Sequence, residues 1–301
     1  MASVKHFIQA ARLRTLPLSI SGIIVGSGIA ASKDHFNILI FALALLTTIG
    51  FQVLSNFAND YGDGVKGTDD DREGEQRLIA AGLITPQQMK LAMIYTSVIT
   101  LLIAVTLIYV AFGKDNFLKS IVFLGLGIAS IFAAIKYTVG KSAYGYSGLG
   151  DIFVFLFFGL LSVIGSYYLY THTLVDWTIL LPASALGMLS AAVLNLNNMR
   201  DQIQDKKANK NTLVVKLGAQ NSKFYHALLI GGALFLVVCY RLLTGATSFY
   251  DWLFLVAFVP LVLNVIIVFR NILFRELDGE LKKVALSTFL CAVLFSVPYF
   301  I

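Results

Sequence analysis

The 301-residue chain is 57% apolar and only 13% charged, with a net charge of +6 and a mean hydropathy of +0.79. Soluble domains carry about 25% charged residues, so a water-soluble globular protein is excluded. The few charges that remain are placed in a way that also removes nucleic-acid binding as the reason for the basic excess.

Apolar runs recur from one end to the other, and a spanning helix needs about 20 such residues. The runs cover 16–32, 36–58, 88–112, 118–138, 152–171, 177–199, 223–243, 250–270 and 284–300. They predict an all-α membrane protein, a single domain over 1–301 built as a bundle of nine transmembrane helices. The first run follows Lys5, Arg12 and Arg14 and ends in small residues near Ala30, which is also the outline of an export signal. Pro17 at its entry suits a helix start, and eight further spans make a separate signal unnecessary, so it is read as a span.

Orientation follows from the basic residues. With the N-terminus in the cytoplasm and the loops alternating, only Lys33, Lys114, Lys119 and Arg241 of the 23 Lys and Arg residues fall on the outer side. That is a strong positive-inside bias, and it predicts a multi-pass protein of the cytoplasmic (inner) membrane surrounded by lipid. Cys239 and Cys291 lie inside spans and offer no metal-ligand spacing.

Two polar stretches interrupt the pattern, both expected as cytoplasmic loops. The first leaves the second run and contains Asn56, Asn59, Asp60, Asp63 and, beyond them, Asp69, Asp70, Asp71, Arg72, Glu73 and Glu75. The second leaves the sixth run and contains Asn197, Asn198, Arg200, Asp201, Asp205 and Lys206. Asn56 precedes Asp60 as Asn197 precedes Asp201, a parallel consistent with internal duplication of a four-helix unit.

Residues three or four apart share a helix face, so each stretch aims an amide and two carboxylates toward one point at the membrane boundary. Carboxylates gathered there need cations between them. Hard oxygen donors of this kind suit Mg²⁺, which takes one or two carboxylates together with phosphate oxygens and water. Asn56, Asp60, Asp63, Asn197, Asp201 and Asp205 are the candidate ligands, and the nearby Arg72, Arg77, Arg200, Lys206 and Lys207 can bind phosphate oxygens. Asp69 to Asp71, Glu73 and Glu75 read as a solvated stretch.

A third polar segment, 136–151, carries Tyr137, Tyr144, Tyr146 and Asp151 among several glycines. Its tyrosines are explained equally by a pocket lining and by an interfacial aromatic belt.

Together, Asn59-Asp60-Tyr61-Gly62-Asp63, Tyr144-Gly-Tyr146-Ser-Gly-Leu-Gly150-Asp151 and Asn197-Asn198-Met-Arg200-Asp201 with Asp205 resemble the UbiA superfamily of intramembrane aromatic prenyltransferases. Arg12-Leu-Arg14-Thr15-Leu16-Pro17 and Lys210-Asn211-Thr212 fit its branch that prenylates 1,4-dihydroxy-2-naphthoate in menaquinone biosynthesis. The superfamily's third aspartate of the first motif is replaced here by Gly67, leaving that ligand unassigned, and Ala143 stands where a proline often precedes Tyr-Gly-Tyr.

The resemblance implies a Mg²⁺-dependent enzyme that moves a polyprenyl group from polyprenyl diphosphate to 1,4-dihydroxy-2-naphthoate. Diphosphate and CO₂ would leave, and a demethylmenaquinol would form. It places the diphosphate between the two aspartate motifs, contacted by Asn56, Asn59, Arg77, Asn197, Asn198, Arg200 and Lys206. Tyr137, Tyr144, Tyr146 and Asp151 would lie nearer the acceptor, and the tail in an apolar tunnel. The competing readings are another acceptor, such as 4-hydroxybenzoate, and a secondary transporter. A transporter's site belongs near the midplane, whereas these motifs sit at one boundary.

Overall fold

The computed structural model describes residues 2–66, 77–114, 116–140 and 143–301. Among them, nine helices are long and apolar enough to cross a membrane, and no strand occurs. They are α1 (Val4–Ala31), α2 (Ile38–Lys66), α3 (Pro86–Phe112), α4 (Phe117–Lys136), α5 (Gly150–Thr171), α6 (Trp177–Arg200), α7 (Leu213–Leu243), α8 (Phe249–Arg270) and α9 (Phe274–Tyr299). The acidic stretch from Asp69 to Glu75, with Gly67 and Arg72, lies outside the described residues.

The helix ends follow from local chemistry. Thr85 caps α3 by accepting from the Gln88 amide, with Pro86 in the first turn, where its missing N–H costs nothing. Thr212 caps α7 through the Val215 amide.

Four boundaries differ from the apolar runs by eight residues or more, among them that of α9, which starts at Phe274 rather than 284. α1 starts at Val4 and is interrupted at Arg12, whose φ of 48° breaks the helical path before Leu16. α7 starts at Leu213, with Gly218 at φ 78° inside it. Most consequentially, α2 runs on to Lys66, so Asp60 and Asp63 stand on the last turns of a helix rather than in a loop. The polar turns persist because they are packed. Gly62 lies so close to Thr138 that a Cβ would meet its side chain at 2.7 Å, and the Thr138 hydroxyl donates to the Ala58 carbonyl at 2.9 Å.

In lipid, helices gain little from apolar contact and associate through close packing of small residues and polar bonds. Here Gly22 and Gly26 of α1 face Ser162 and Ser166 of α5 so tightly that Cβ atoms would sit 2.2 and 1.9 Å from the two hydroxyls. Gly159 of α5 meets Gly187 of α6 in the same way. Polar bonds join the second half of the bundle: His226 of α7 pairs with Asn264 of α8 at 2.7 Å, and Asn264 donates to Glu280 of α9 at 2.9 Å. A seven-residue π-helical stretch, Phe155–Leu161, widens α5 around Gly159 and ends just before Ser162.

Candidate active site

Both aspartate motifs reach the same end of the bundle, with the segment between α4 and α5 lodged between them. From α2, Asp60 is fully buried, and its two oxygens accept the backbone N–H groups of Leu78 and Ile79 at 3.1 and 3.2 Å. It thereby folds the chain after the acidic stretch back onto the helix. One turn on, Asp63 accepts a 2.7 Å hydrogen bond from the Tyr146 hydroxyl and lies 3.6 Å from the buried Arg77 guanidinium.

Tyr146 is the link between the halves. Its ring lies under the Lys66 ammonium at 3.9 Å and 5.4 Å from that of Lys210. Lys210 in turn is 3.6 Å from Asp205. The segment is held by its backbone as well: the Gly145 amide donates to the Tyr137 carbonyl, and the Asn211 amide to the Tyr146 carbonyl, each at 3.0 Å. A Cβ on Gly145 would strike that Tyr137 carbonyl at 2.6 Å, which accounts for the glycine between the tyrosines.

From α6, Arg200 grips Asp201 with two bonds of 2.7 and 2.9 Å, donates to the Asn197 side-chain oxygen at 2.9 Å, and reaches across to Asp278 at the start of α9. Asp151, buried at the start of α5, accepts from the Tyr225 hydroxyl at 3.3 Å.

Tyr137 is the common neighbour. Burial, reinforced by the negative charges of Asp151 and Asp63, drives its hydroxyl far above the usual phenol range. Burial does the same to Tyr144. Both therefore remain neutral phenols.

Behind this polar end opens a cavity of about 350 Å³. Gln52, Asn56, Asn59, Tyr137 and Tyr144 line its polar part, and the rest is largely aliphatic and aromatic. The rings continue inward from Tyr144 to Phe153, stacked at 3.9 Å between centroids, and to Phe157 at 6.2 Å.

The structure thus brings Asp63, Asp205, Tyr137, Tyr146 and Asp151 toward one region. Asn56 touches the cavity, but its amide nitrogen is turned to α1, donating to the Ala11 carbonyl at 2.8 Å and to Thr15 at 3.1 Å. Asn59 faces the cavity and accepts from Thr138. Asn198 is buried, whereas Lys206 is exposed. Lys66, Tyr225 and Asp278 are not among the site residues expected from the sequence, and Lys210 is there a motif residue without a site role. The spacing of Lys66 three residues after Asp63 was available as a signal, but Asp278 lies 78 residues from its partner and had none.

The UbiA prenyltransferase family model matches residues 19–295. The chain is 44% identical to the 1,4-dihydroxy-2-naphthoate octaprenyltransferase of Escherichia coli (strain K12), over all of this chain and 97% of that protein. It is also 44% identical to the protein of that name in Haemophilus influenzae, over 98% and 95% of the two chains. Among solved structures, a UbiA homolog from Archaeoglobus fulgidus superposes with a TM-score of 0.68 at 16% identity, covering 98% of each chain. The homolog bound to GPP and Mg²⁺ superposes with a TM-score of 0.63 over 96% and 99%. The nine-helix bundle, the paired aspartate motifs and these full-length matches agree: the chain belongs to the UbiA prenyltransferase family.

Proposed function

We propose that this protein transfers a polyprenyl group from polyprenyl diphosphate to 1,4-dihydroxy-2-naphthoate, the prenyl step of menaquinone biosynthesis. The observation that carries the reading is the pairing of a charged end built from both aspartate motifs with an apolar cavity behind it, in a chain that matches naphthoate prenyltransferases along its whole length. In the reaction the bond from prenyl C1 to the diphosphate oxygen breaks, and C1 bonds to the ring carbon that carries the carboxylate. The carboxylate leaves as CO₂, its electron pair restoring the aromatic ring.

Mg²⁺ fits the donor set. Among the described residues no three His, Cys, Asp or Glu side chains are gathered as a ready-made metal cage. An ion held by one or two carboxylates takes its remaining oxygens from diphosphate and water. Asp63 and Asp205, with Asp60 and Asp201 beside them, are the residues that would hold it. When bound, it neutralises the departing diphosphate. Lys66, Arg77 and Lys210 supply further positive charge, and Asn59 with Tyr146 fixes the polar end of the cavity. Excluding water from the apolar part protects an allylic cation from hydrolysis.

The test is direct. Membranes holding the protein, given octaprenyl diphosphate, Mg²⁺ and a panel of aromatic acids, are expected to yield prenylated naphthoquinol by mass spectrometry. A product formed only from 4-hydroxybenzoate would refute the assignment.

Tyr137 serves in this scheme as a neutral ring facing the cation. Such an interaction contributes about 2 kcal/mol when desolvated, roughly a 30-fold rate effect. Tyr137→Phe is expected to keep most of the turnover and Tyr137→Leu to lose it by about that factor. Equal rates for the two variants would remove Tyr137 from this role.

The distribution of basic residues supports a site on the cytoplasmic face, with the N-terminus on the same side. Cysteine labelling of intact cells checks this: a cysteine introduced at Lys206 should be protected from an impermeant reagent and one at Lys33 modified. The reverse pattern would invert the topology.

A further inference from the structure

α4 lies at the edge of the bundle. None of its side chains is buried, and it packs against α2 and α3. Between α4 and α5 runs a second void of about 800 Å³, extending from Phe153 near the site to Leu118 and Leu174 at the far end. Its rim residues Leu118, Val122 and Leu156 are exposed and so face lipid. The two voids share Phe123, Leu126, Phe153, Phe157, Leu161 and Gly165.

Gly165 differs from the other five in having no side chain. Packing does not require this: a Cβ there would meet only Leu161 Cδ1, at an ordinary 3.7 Å, whereas one on Gly159 would strike the Gly187 backbone at 2.5 Å. The glycine instead leaves space at the junction of the two voids. Its depth matters. At 1.5 Å per residue, Gly165 lies about 20 Å along α5 from Asp151. With carbon–carbon bonds near 1.5 Å, each unit of an extended prenyl chain adds about 5 Å. A two-unit tail therefore ends short of Gly165, and an eight-unit tail must go past it.

We propose that the absent side chain of Gly165, where the cavity meets the groove between α4 and α5, sets the longest prenyl tail the enzyme accepts. This rests on the cavity being the prenyl site, as the proposed function has it. The Tyr144, Phe153 and Phe157 rings form the wall along which the double bonds of the tail lie, and the apolar groove toward lipid receives the remainder without exposing it to water.

The experiment compares wild type, Gly165→Ala, Gly165→Leu and Gly125→Leu in membranes, with Mg²⁺, the naphthoate and either geranyl or octaprenyl diphosphate. Gly125 is an exposed position on α4 with nothing near its Cβ, so its substitution controls for adding a leucine to a glycine site in the same region. Gly165→Leu is expected to lose kcat/KM by about 10-fold or more with the octaprenyl donor while staying within about 2-fold of wild type with the geranyl donor. Gly165→Ala should fall between, and Gly125→Leu should match wild type with both. Geranyl turnover doubles as the measure of folding. Wild-type use of the octaprenyl donor by Gly165→Leu, or an equal loss with both donors, overturns the route alone. A wild-type protein that prenylates the naphthoate with neither donor overturns the functional reading and the route together.

Discussion

Asp63→Asn and Asp205→Asn are each expected to lower prenyl transfer by about 10²–10³-fold, the usual effect of removing one preorganised electrostatic contact at a site of developing charge. Asn preserves the size and the helix position but removes the formal charge. The loss should appear mainly in kcat, because the contact matters most as the C1–oxygen bond breaks and charge builds on the diphosphate. The two positions reach the same region from opposite halves of the bundle, Asp63 through Tyr146 and Asp205 through Lys210. If they serve one metal–diphosphate cluster, the double variant should lose far less than the product of the single losses. Chelation with EDTA should abolish activity and Mg²⁺ restore it. Asp70→Asn, in the acidic stretch whose sequence reads as solvated, should change little. Near-normal rates for both single variants at saturating Mg²⁺, or activity that survives chelation, would disprove the arrangement.

The nine spans were legible because each is an apolar run long enough to cross a membrane, whether its side chains meet other helices or lipid. Their ends were less so. α2 outruns its apolar segment to Lys66 because Asp60 and Thr138 tie the polar turns to neighbouring backbone, a long-range compensation invisible to hydropathy. The motif spacing marked the residues that matter, yet it could not orient them. Asn56 shares a helix face with Asp60 but turns to α1, where a break at Arg12 leaves the Ala11 carbonyl to accept its amide. Tyr146 was one of three tyrosines with two equal explanations. Only the fold shows its hydroxyl on Asp63 and its ring beside two lysines. The groove between α4 and α5 had no sequence signal, because lipid-facing and tail-facing surfaces are both apolar.

Arg200 was read from sequence as a diphosphate contact, and its geometry gives it a second task that a variant can isolate. It is buried, with its guanidinium divided among Asp201, Asn197 and Asp278. Removing one member of a buried ion pair typically costs about 3–5 kcal/mol, because the partner charge is left without compensation. Arg200→Gln is therefore expected to lower thermal stability markedly as well as turnover. Arg200→Lys should not rescue it, since an ammonium cannot reproduce the fork that meets Asp201 with two parallel bonds. The double variant Arg200→Gln/Asp201→Asn removes both charges, so much of the stability should return. Turnover should not, because the metal–diphosphate cluster would then lack both the Asp201 charge and the guanidinium beside it. That divergence between melting temperature and rate is the informative result. A double variant as unstable as Arg200→Gln would mean that the pair contributes little to holding α6 and that the Asp278 contact dominates. Recovery of turnover along with stability would mean that Arg200 and Asp201 only support the fold, and that the chemistry belongs to Asp63 and Asp205 alone.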